Sequence, residues 1–317
     1  MSSADRMEWT MNLIHAFLNG SNFQSEEIGA HRVKPLRDPV GELVFELLEN
    51  VVRVDMKSPN PITTQLPMVS SPVPVLSCIC LYLLVVRLWS AHIRSSRQEP
   101  RKEDPLALRC LVIVHNLFLC ILSLFMAVGF IVAARFYGYK RIWGNEYVER
   151  EPAMNLLVYA FYISKLYEFM DTAIMLFRRN LRQATYLHLY HHTTISIIWW
   201  IICYRVPGAD AYFSAAVNSG IHVAMYFYYL LAAIVGGDEK RKRKYLFWGK
   251  YLTMMQMLQF LSFIGQAIYA IYRPEFYPKG FGRMLFVYSC SLLAFFGNFF
   301  VKKYRRPRQT KTVTKEE

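Results

Sequence analysis

Seven long apolar runs are the feature that most limits how this chain can fold. They cover residues 69–89, 107–134, 154–177, 184–204, 211–235, 246–272 and 281–301. Each run is long enough for a helix that crosses a bilayer, which needs about 20 residues. Backbone groups inside lipid have to hydrogen-bond within the protein, and single apolar runs do so as α-helices. We therefore predict an all-α membrane protein with seven transmembrane helices.

The charged loops between these runs predict the orientation of the chain. The loops on the side of the C-terminus contain 12 Lys and Arg residues and the C-terminal tail contains 7, which makes 19, against 7 in the short loops of the opposite side. Because basic loops stay in the cytosol, we expect a cytosolic C-terminus and a lumenal N-terminus. A lumenal N-terminus would expose Asn19, which lies in an Asn-Gly-Ser sequon, to glycosylation.

Three regions are predicted from this pattern. Residues 1–67 form a lumenal segment, in which 40–54 have the apolar spacing of an amphipathic helix on the membrane surface. Residues 68–301 form the membrane domain, and 302–317 form a basic cytosolic tail. The net charge of +14 comes from basic residues between apolar runs, so it indicates membrane orientation rather than a nucleic-acid partner.

Three histidines share one face at the start of the fourth run. His191 and His192 follow His188 by three and four residues, which is the spacing of one helical face. Imidazole can act as acid, base, nucleophile or metal ligand near neutral pH. An interfacial belt of aromatic and His residues is the bland alternative.

Other polar residues lie inside the apolar runs at similar distances from the cytosolic side. They include His115, Asn116, Lys165, Glu168, Asp171, Thr172, Asn218, His222, Tyr226, Tyr229, Thr253, Gln256 and Gln259. Ionisable groups in lipid are costly, so a shared depth indicates a polar chamber. Separate hydrogen bonds between packed helices are the structural alternative. A chamber walled by apolar side chains suits a long apolar substrate with a polar reactive head.

Two kinds of chemistry fit such a chamber. Membrane diiron desaturases and hydroxylases also use histidine clusters, but they need about eight ligands or more, and only five of the eight histidines fall inside the runs. Metal-free acyl chemistry on an imidazole is the other possibility. A seven-span receptor or transporter is a third class, although it has little reason to bury clustered histidines and charges.

Four motifs together resemble the signature of one enzyme family. They are Lys165-x-x-Glu168-x-x-Asp171-Thr172, His188-x-x-His191-His192, His222-x-x-Met225-Tyr226-x-Tyr228-Tyr229 and Thr253-x-x-Gln256-x-x-Gln259. In this order, each on a separate predicted span, they resemble the ELO family of very-long-chain fatty acid elongases, the 3-ketoacyl-CoA synthases. The resemblance covers residues 68–301 and leaves out the first 67 residues and the tail.

The resemblance implies a function, a fold and a location. The reaction would be the condensing step of fatty acid elongation in the endoplasmic reticulum membrane, in which a long-chain acyl-CoA and malonyl-CoA give 3-oxoacyl-CoA, CO2 and CoA. Six of the seven helices would form a barrel around an acyl tunnel. No metal or other cofactor is implied. Expected partners are membrane lipid and the ketoacyl-CoA reductase, dehydratase and enoyl reductase of the cycle, and a homodimer is allowed.

The resemblance also suggests roles for the polar residues. His191 would carry the acyl group, and His222 would be its partner base or a second attachment point. His188 and His192 would orient these rings, while Glu168 and Asp171 fix tautomers. The candidate donors to an enolate are Lys165, Asn218, Gln256 and Gln259. The candidate substrate contacts are His115, Asn116, Gln183, Tyr226, Tyr229 and Thr253.

Two further expectations concern the substrate. Gln183 lies five residues before His188. At this position the chain resembles the elongases that act on polyunsaturated chains, which typically have glutamine there. The basic residues near Arg178, in 240–244 and in 302–306 are candidates to meet the phosphates of CoA, although such charges are also plain orientation signals.

Overall fold

The computed structural model describes residues 38–304 apart from 98, 102, 103, 276, 278 and 279. Its α-helices are α1 Pro39–Leu47, α2 Val73–Ser95, α3 Leu106–Phe136, α4 Pro152–Tyr167, α5 Phe169–Phe177, α6 Tyr186–Arg205, α7 Ala211–Val235, α8 Glu239–Tyr245, α9 Gly249–Tyr272 and α10 Phe281–Tyr304. A π-helical turn, Leu48–Val52, extends α1, and Thr63–Gln65 form a 3₁₀ turn. No strand occurs in the part of the chain that the structure describes. The sequon at Asn19 and most of the basic tail lie outside the described residues.

Local sequence signals account for several helix starts. Proline lies in the first turn of α1, α2 and α4, where no intrahelical partner is needed for its missing N–H. The hydroxyl of Thr185 accepts a hydrogen bond from the backbone N–H of His188 and so caps α6. This cap places the histidine cluster in the first two turns of α6.

Among the described residues, five helices are long and apolar enough to cross a membrane, namely α2, α3, α7, α9 and α10. The all-α membrane fold is therefore confirmed, whereas the count of seven spans stays a prediction. The third predicted span is divided at Glu168 into α4 and α5, because a tight turn there bonds the Asp171 N–H to the Glu168 carbonyl at 3.0 Å. The fourth predicted span is α6, which has 20 residues and carries the polar histidine cluster.

Six of the helical segments form a closed ring. Around the ring, α3 contacts α4, α4 contacts α6, α6 contacts α10, α10 contacts α9, α9 contacts α7, and α7 packs along α3. Helix α2 lies outside the ring against α5 and α6. This arrangement agrees with the barrel of six helices that the family resemblance implies.

Residues 54–71 form a cap over the end of the ring away from the histidines. Val54, Ile62 and Val69 are fully buried there, and the indole of Trp200 donates a hydrogen bond to the Val69 carbonyl. Asn60 donates to the Tyr147 hydroxyl at 2.9 Å and to the carbonyl of residue 149 at 2.8 Å. The cap is thus packed into the membrane domain rather than forming a separate unit.

Candidate active site

A polar cavity of about 610 Å³, called the chamber below, lies inside the ring. Its walls include most of the residues that the sequence singled out. They are Asn116, Glu168, Asp171, Gln183, His188, His191, His192, Asn218, His222, Tyr226, Tyr229, Thr253, Gln256 and Gln259. Lys165, His115 and Thr172 are the three exceptions, and each contacts a side chain of this wall from behind. The chamber thus brings residues of six helical segments, α3, α5, α6, α7, α9 and α10, to one place.

Glu168 is the centre of the first polar network. Its Oε1 lies 2.7 Å from the Lys165 Nζ and 3.3 Å from the His222 Nδ1. Lys165 also donates to the Asn218 Oδ1 at 3.2 Å. Lys165 is 1% exposed and Glu168 is 2% exposed, so each charge needs the other in order to be buried.

Asp171 is the centre of a second network one turn further on. Its Oδ1 lies 2.8 Å from the His115 Nε2, and its Oδ2 accepts a hydrogen bond from the Tyr226 hydroxyl at 2.9 Å. The His115 ring also stacks on Tyr167. His115 therefore acts here as a partner of Asp171, behind the wall, rather than as part of the chamber surface.

His188 is held by a relay of hydroxyl groups. Its Nε2 lies 2.7 Å from the Thr172 Oγ1, which lies 2.8 Å from the Tyr82 hydroxyl. The Tyr82 ring stacks on Phe169 with centroids 4.2 Å apart. Helix α2, although outside the ring, thus helps to fix one histidine of the cluster.

His191 and His192 each have a buried ring nitrogen, Nδ1, without a partner in the described part of the chain. The family resemblance implies that Glu168 and Asp171 fix the tautomers of the catalytic histidines. Within the described part of the chain, Glu168 bonds to the ring of His222 rather than to that of His191.

A second, narrow cavity of about 70 Å³, called the tunnel below, continues from the chamber toward the cap. It shares with the chamber the lining residues His191, Asn218, Gln259 and Phe260. Its wall on α6 runs from His191 to Ile202, a length of about 16 Å at the rise of an α-helix. His191 therefore stands where the polar and the apolar cavity meet.

The far end of the tunnel is lined by polar groups that bond to one another. The Ser214 hydroxyl donates to the Gln266 Oε1 at 2.7 Å, and the Gln266 amide donates to the Asp210 carbonyl at 2.6 Å. Burial raises the pKa of the Asp210 carboxyl, although the backbone N–H groups of Gly144 and Asn145 counteract this effect. These bonds connect α7, α9 and the loop before α4.

Basic side chains stand at the other end of the chamber. Arg178, Arg182 and Lys303 line it together with Gln183, and these four residues are called the mouth below. Arg178 is bound to the carboxylate of Asp104 through its Nε at 2.9 Å. The basic helix α8, by contrast, does not contribute to the chamber lining that the structure describes.

Three of the five histidine rings in this region use a ring nitrogen in a hydrogen bond. Within the described ranges, no group of three or more His, Cys, Asp or Glu side chains is arranged to hold a metal ion. His115, His188 and His222 each bond to a different residue. These three imidazoles therefore have separate partners, an aspartate, a threonine and a glutamate.

Several residues that the sequence patterns did not indicate also lie at the site. Tyr82 belongs to the relay behind His188, and Ser214, Gln266 and Ser289 line the tunnel. Gln266 follows Gln259 by seven residues, so the spacing of one helical face could have indicated it. Tyr82 has no such signal, because its partner Thr172 is 90 residues away.

The chain is similar to proteins of known family. A sequence model of the GNS1/SUR4 family, ELO, matches residues 67–312. The chain belongs to this family. The match begins where the predicted membrane domain begins, but it extends into the basic tail, beyond the range that the motifs covered. The alternative of a diiron desaturase or hydroxylase finds no support in these comparisons.

Individual relatives of this ELO protein are named as elongases. This chain is 39% identical over 255 residues to "Fatty acid elongase 6" of Leishmania major, and the match covers 77% of this chain and 63% of the relative. It is 34% identical over 251 residues to "Very long chain fatty acid elongase 4" of Mus musculus, covering 78% and 76%. It is 34% identical over 236 residues to "Very long chain fatty acid elongase 5" of Homo sapiens, covering 74% and 75%.

Proposed function

We propose that this ELO protein joins a polyunsaturated long-chain acyl-CoA to malonyl-CoA, giving 3-oxoacyl-CoA, CO2 and CoA, with His191 carrying the acyl group. A condensing enzyme of fatty acid elongation is what its family and its elongase relatives indicate. The observation that supports the role of His191 is its position, since it lines both the chamber and the tunnel. An acyl carbonyl bonded to this ring has its chain in the tunnel and its open face in the chamber.

The first half-reaction transfers the acyl group to the ring. A nitrogen of His191 attacks the thioester carbonyl, the C–N bond forms, and the C–S bond breaks. The proton of the imidazole goes to the departing CoA thiolate, so that free CoA leaves. His222, which faces the chamber and is bonded to Glu168, is the acid–base group that we assign to this proton transfer.

The second half-reaction uses malonyl-CoA. Loss of CO2 leaves an enolate whose carbon attacks the acyl carbonyl. The C–N bond then breaks, and the ring takes a proton from water to replace the one that left with the first CoA. The negative charge on the enolate and acyl oxygens needs hydrogen-bond donors. The amides of Asn218 and Gln259 are the donors that we assign, because both stand beside His191 where the cavities meet. Gln256 contacts the sulfur of Met225 and lies further into the chamber.

We assign the mouth to the phosphates of CoA. Arg182 and Lys303 present positive charge at the end of the chamber that leads away from the tunnel, and Arg178 stands beside them in its pair with Asp104. Phosphate groups are favoured by such clusters of Lys and Arg. Malonyl-CoA and acyl-CoA would then occupy the same mouth in turn, as the two half-reactions require.

We also propose the setting of the reaction. The protein would lie in the endoplasmic reticulum membrane, with a lumenal N-terminus and the mouth on the cytosolic side, where CoA thioesters are soluble. It would need no metal or other cofactor, because the imidazoles and amides supply the nucleophile, the base and the donors. The product would pass to a ketoacyl-CoA reductase, then to a dehydratase and an enoyl reductase.

The decisive experiment separates the two half-reactions. Purified protein is mixed with acyl-CoA alone, and free CoA is measured with a thiol reagent. We expect the wild type to release close to one CoA per protein and His191→Ala to release none, because alanine offers no nucleophile. His222→Ala should be nearly as slow in overall condensation. Full CoA release by His191→Ala would remove this residue from the acyl-carrying role.

Substrate preference is tested by expression in a host that lacks polyunsaturated acids. Cells fed acids of different length and unsaturation should gain two carbons on C18 or C20 polyunsaturated chains in preference to saturated ones. Gln183 at the mouth supports this preference. If only saturated or monounsaturated chains were elongated, the polyunsaturated assignment would fail while the condensing reaction stood.

The metal-free mechanism has its own test, in which the enzyme is treated with a chelator. Activity lost on chelation and restored by iron would contradict the metal-free mechanism.

A further inference from the structure

The hydroxyl relay behind His188 starts on α2, the helix outside the ring. Tyr82 is 8% exposed there, and Thr172 on α5 is fully buried. Within the described part of the chain, Thr172 is the only hydrogen-bond partner of the Tyr82 hydroxyl. The Thr172 Oγ1 lies 2.8 Å from that hydroxyl and 2.7 Å from the His188 Nε2. Because Thr172 has one hydroxyl proton, it can donate to only one of these two partners.

Two directions of the relay are possible, and one of them satisfies both hydroxyl protons. If Tyr82 donates to Thr172, then Thr172 donates to the His188 Nε2. In the opposite direction the Tyr82 proton has no acceptor among the described residues, and a buried donor without an acceptor costs free energy. Leu81 and Leu83, on either side of Tyr82, are exposed on α2, and lipid offers no acceptor either. The relay therefore favours the first direction.

This direction decides which nitrogen of His188 carries a proton. A neutral imidazole has one N–H, and since Nε2 accepts here, the proton is on Nδ1. The ring lines the chamber, and its Nδ1 bonds to no residue in the part of the chain that the structure describes. Unlike the Nδ1 atoms of His191 and His192, this Nδ1 is not enclosed by protein. His188 thus offers the chamber an N–H donor rather than a lone pair.

The position of His188 along the chamber indicates what this donor meets. His188 lies one turn before His191, about 4.5 Å along α6, on the side of the mouth residue Gln183. In the second half-reaction the acyl group occupies His191 and malonyl-CoA enters from the mouth, so the malonyl thioester lies on the side of His188. Its carbonyl oxygen gains negative charge when CO2 leaves, and an N–H donor stabilises that charge.

We propose that Tyr82 is a positioning residue that, through Thr172, holds His188 as a hydrogen-bond donor to the thioester oxygen of malonyl-CoA. The inference rests on the proposed function and goes beyond the orienting role that the family resemblance implies for His188. In Tyr82→Phe, Thr172 can turn its proton to a carbonyl of the preceding turn and accept from an N–H on Nε2. The proton then leaves Nδ1, and the chamber loses this donor.

Kinetics on the full-length protein in detergent test the relay. CoA release from acyl-CoA alone reports the first half-reaction, and labelled product from malonyl-CoA reports condensation. Tyr82→Phe keeps the ring that stacks on Phe169 and removes only the hydroxyl. We expect it to lower kcat of condensation about three- to tenfold, as loss of one hydrogen bond predicts, and CoA release by less than about twofold. Equal losses in both half-reactions would overturn the proposal.

Two further variants separate the relay from packing. Tyr162→Phe is the matched control, because Tyr162 is fully buried, lines neither cavity and donates its hydroxyl proton to the Met68 carbonyl. Its condensation rate should stay at the wild-type level. Thr172→Val removes the middle hydroxyl, so adding Tyr82→Phe in this background should cause no further loss. Additive losses would show that Tyr82 does not act through Thr172.

The proton on His188 can also be observed directly. In protein with isotope-labelled histidine, nitrogen NMR distinguishes an N–H from a lone pair, and the His188 signals are those absent from His188→Gln. We expect the proton on Nδ1 in the wild type and on Nε2 in Tyr82→Phe. A wild type with the proton on Nε2 overturns the proposal even if the variant does not fold. A wild type that makes no product from malonyl-CoA contradicts the proposed function instead, so the two failures are distinguishable.

Discussion

Lys165 determines which way the side-chain amide of Asn218 points. A lysine ammonium can only donate hydrogen bonds, so the Asn218 atom that faces Lys165 is the carbonyl oxygen. The NH2 group of Asn218 is then directed away from Lys165. Because Asn218 lines the junction of chamber and tunnel, this orientation supplies a donor where the proposed reaction would develop negative charge.

The pairing of Lys165 with Glu168 predicts that stability and activity can be separated. Glu168→Gln leaves the ammonium group of Lys165 buried without its carboxylate, which costs about 3 to 5 kcal/mol. We therefore expect a lower midpoint of thermal unfolding in detergent and loss of condensation. The double variant Lys165→Met/Glu168→Gln removes both charges and should recover most of the stability but none of the activity.

The comparison of the single and double variants decides this prediction. If the double variant is as unstable as Glu168→Gln, the two charges do not compensate each other and the buried pair has been misassigned. If the double variant condenses at the wild-type rate, neither charge is needed to orient His222 or Asn218. Membrane insertion of each variant is checked by its monodisperse elution in detergent.

His115 illustrates what a sequence leaves open at the scale of one residue. Its position inside an apolar run indicated a place in the polar region, which is correct. The sequence could not show that its imidazole would bond to Asp171, because the two residues are 56 positions apart on different helices. The rotation of a helix about its axis decides whether a side chain points into the chamber or away from it. Sequence periodicity shows which residues share a face of the helix, but not which face points into the chamber.

At the scale of elements, the division between α4 and α5 brings together residues of one motif. Lys165 and Glu168 contact each other three residues apart, and Asp171 follows at the next turn. The sequence predicted one continuous helix over residues 154–177, on which the spacing of these residues by three gives a shared face. The tight turn at Glu168 keeps that shared face but interrupts the helix, a change that no propensity signal indicates, since Glu is a good helix former.

The loop between α3 and α4 contains a buried carboxyl group that predicts a pH dependence. Burial raises the pKa of Glu151 from 4.5 to about 7, although the hydrogen bond that it accepts from Tyr139, at 2.5 Å, has a lowering effect. Between these two pH values the unfolded chain has lost the proton and the folded protein still holds it. Stability should therefore fall as the pH rises through this interval.

The variant Glu151→Gln should abolish that part of the pH dependence. A glutamine keeps an oxygen that can accept the Tyr139 hydrogen bond but cannot ionise. We expect its unfolding midpoint to exceed that of the wild type above pH 7, by the equivalent of at most about 3 kcal/mol. Glu149→Gln, which changes an exposed carboxyl two residues away, is the control. Parallel pH profiles for the wild type and Glu151→Gln would contradict the assignment.

At the scale of the whole molecule, the excess of basic residues on one side predicts the topology. The mouth and the basic helix α8 should face the cytosol, and the cap should face the lumen. In sealed microsomes, we expect an epitope on the C-terminal tail to be digested by added protease. Asn19 should carry a glycan that glycosidase removes and that is absent from the variant Asn19→Gln. A protected tail would reverse the orientation.

The sequence predicted the contents of the chamber better than the shape of the molecule. Spacing within each helix was sufficient to place His188, His191 and His192 on one face, and depth was sufficient to bring them near His222. The cap was not predicted, because its polar residues find partners across long separations that no local pattern records. The Asn60 amide, for example, bonds to a tyrosine 87 residues away.

The cap has a consequence for how the protein is made. The ribosome synthesises residues 54–71 early, yet the Thr63 hydroxyl bonds to the Cys203 carbonyl, which is 140 residues later in the chain. The cap therefore cannot dock until the end of α6 has been synthesised and inserted, long after its own residues have left the ribosome. During that interval its apolar side chains, among them Val54, Ile62 and Val69, have no native partner. Biogenesis is thus the stage at which this segment most needs lipid or a chaperone to shield it.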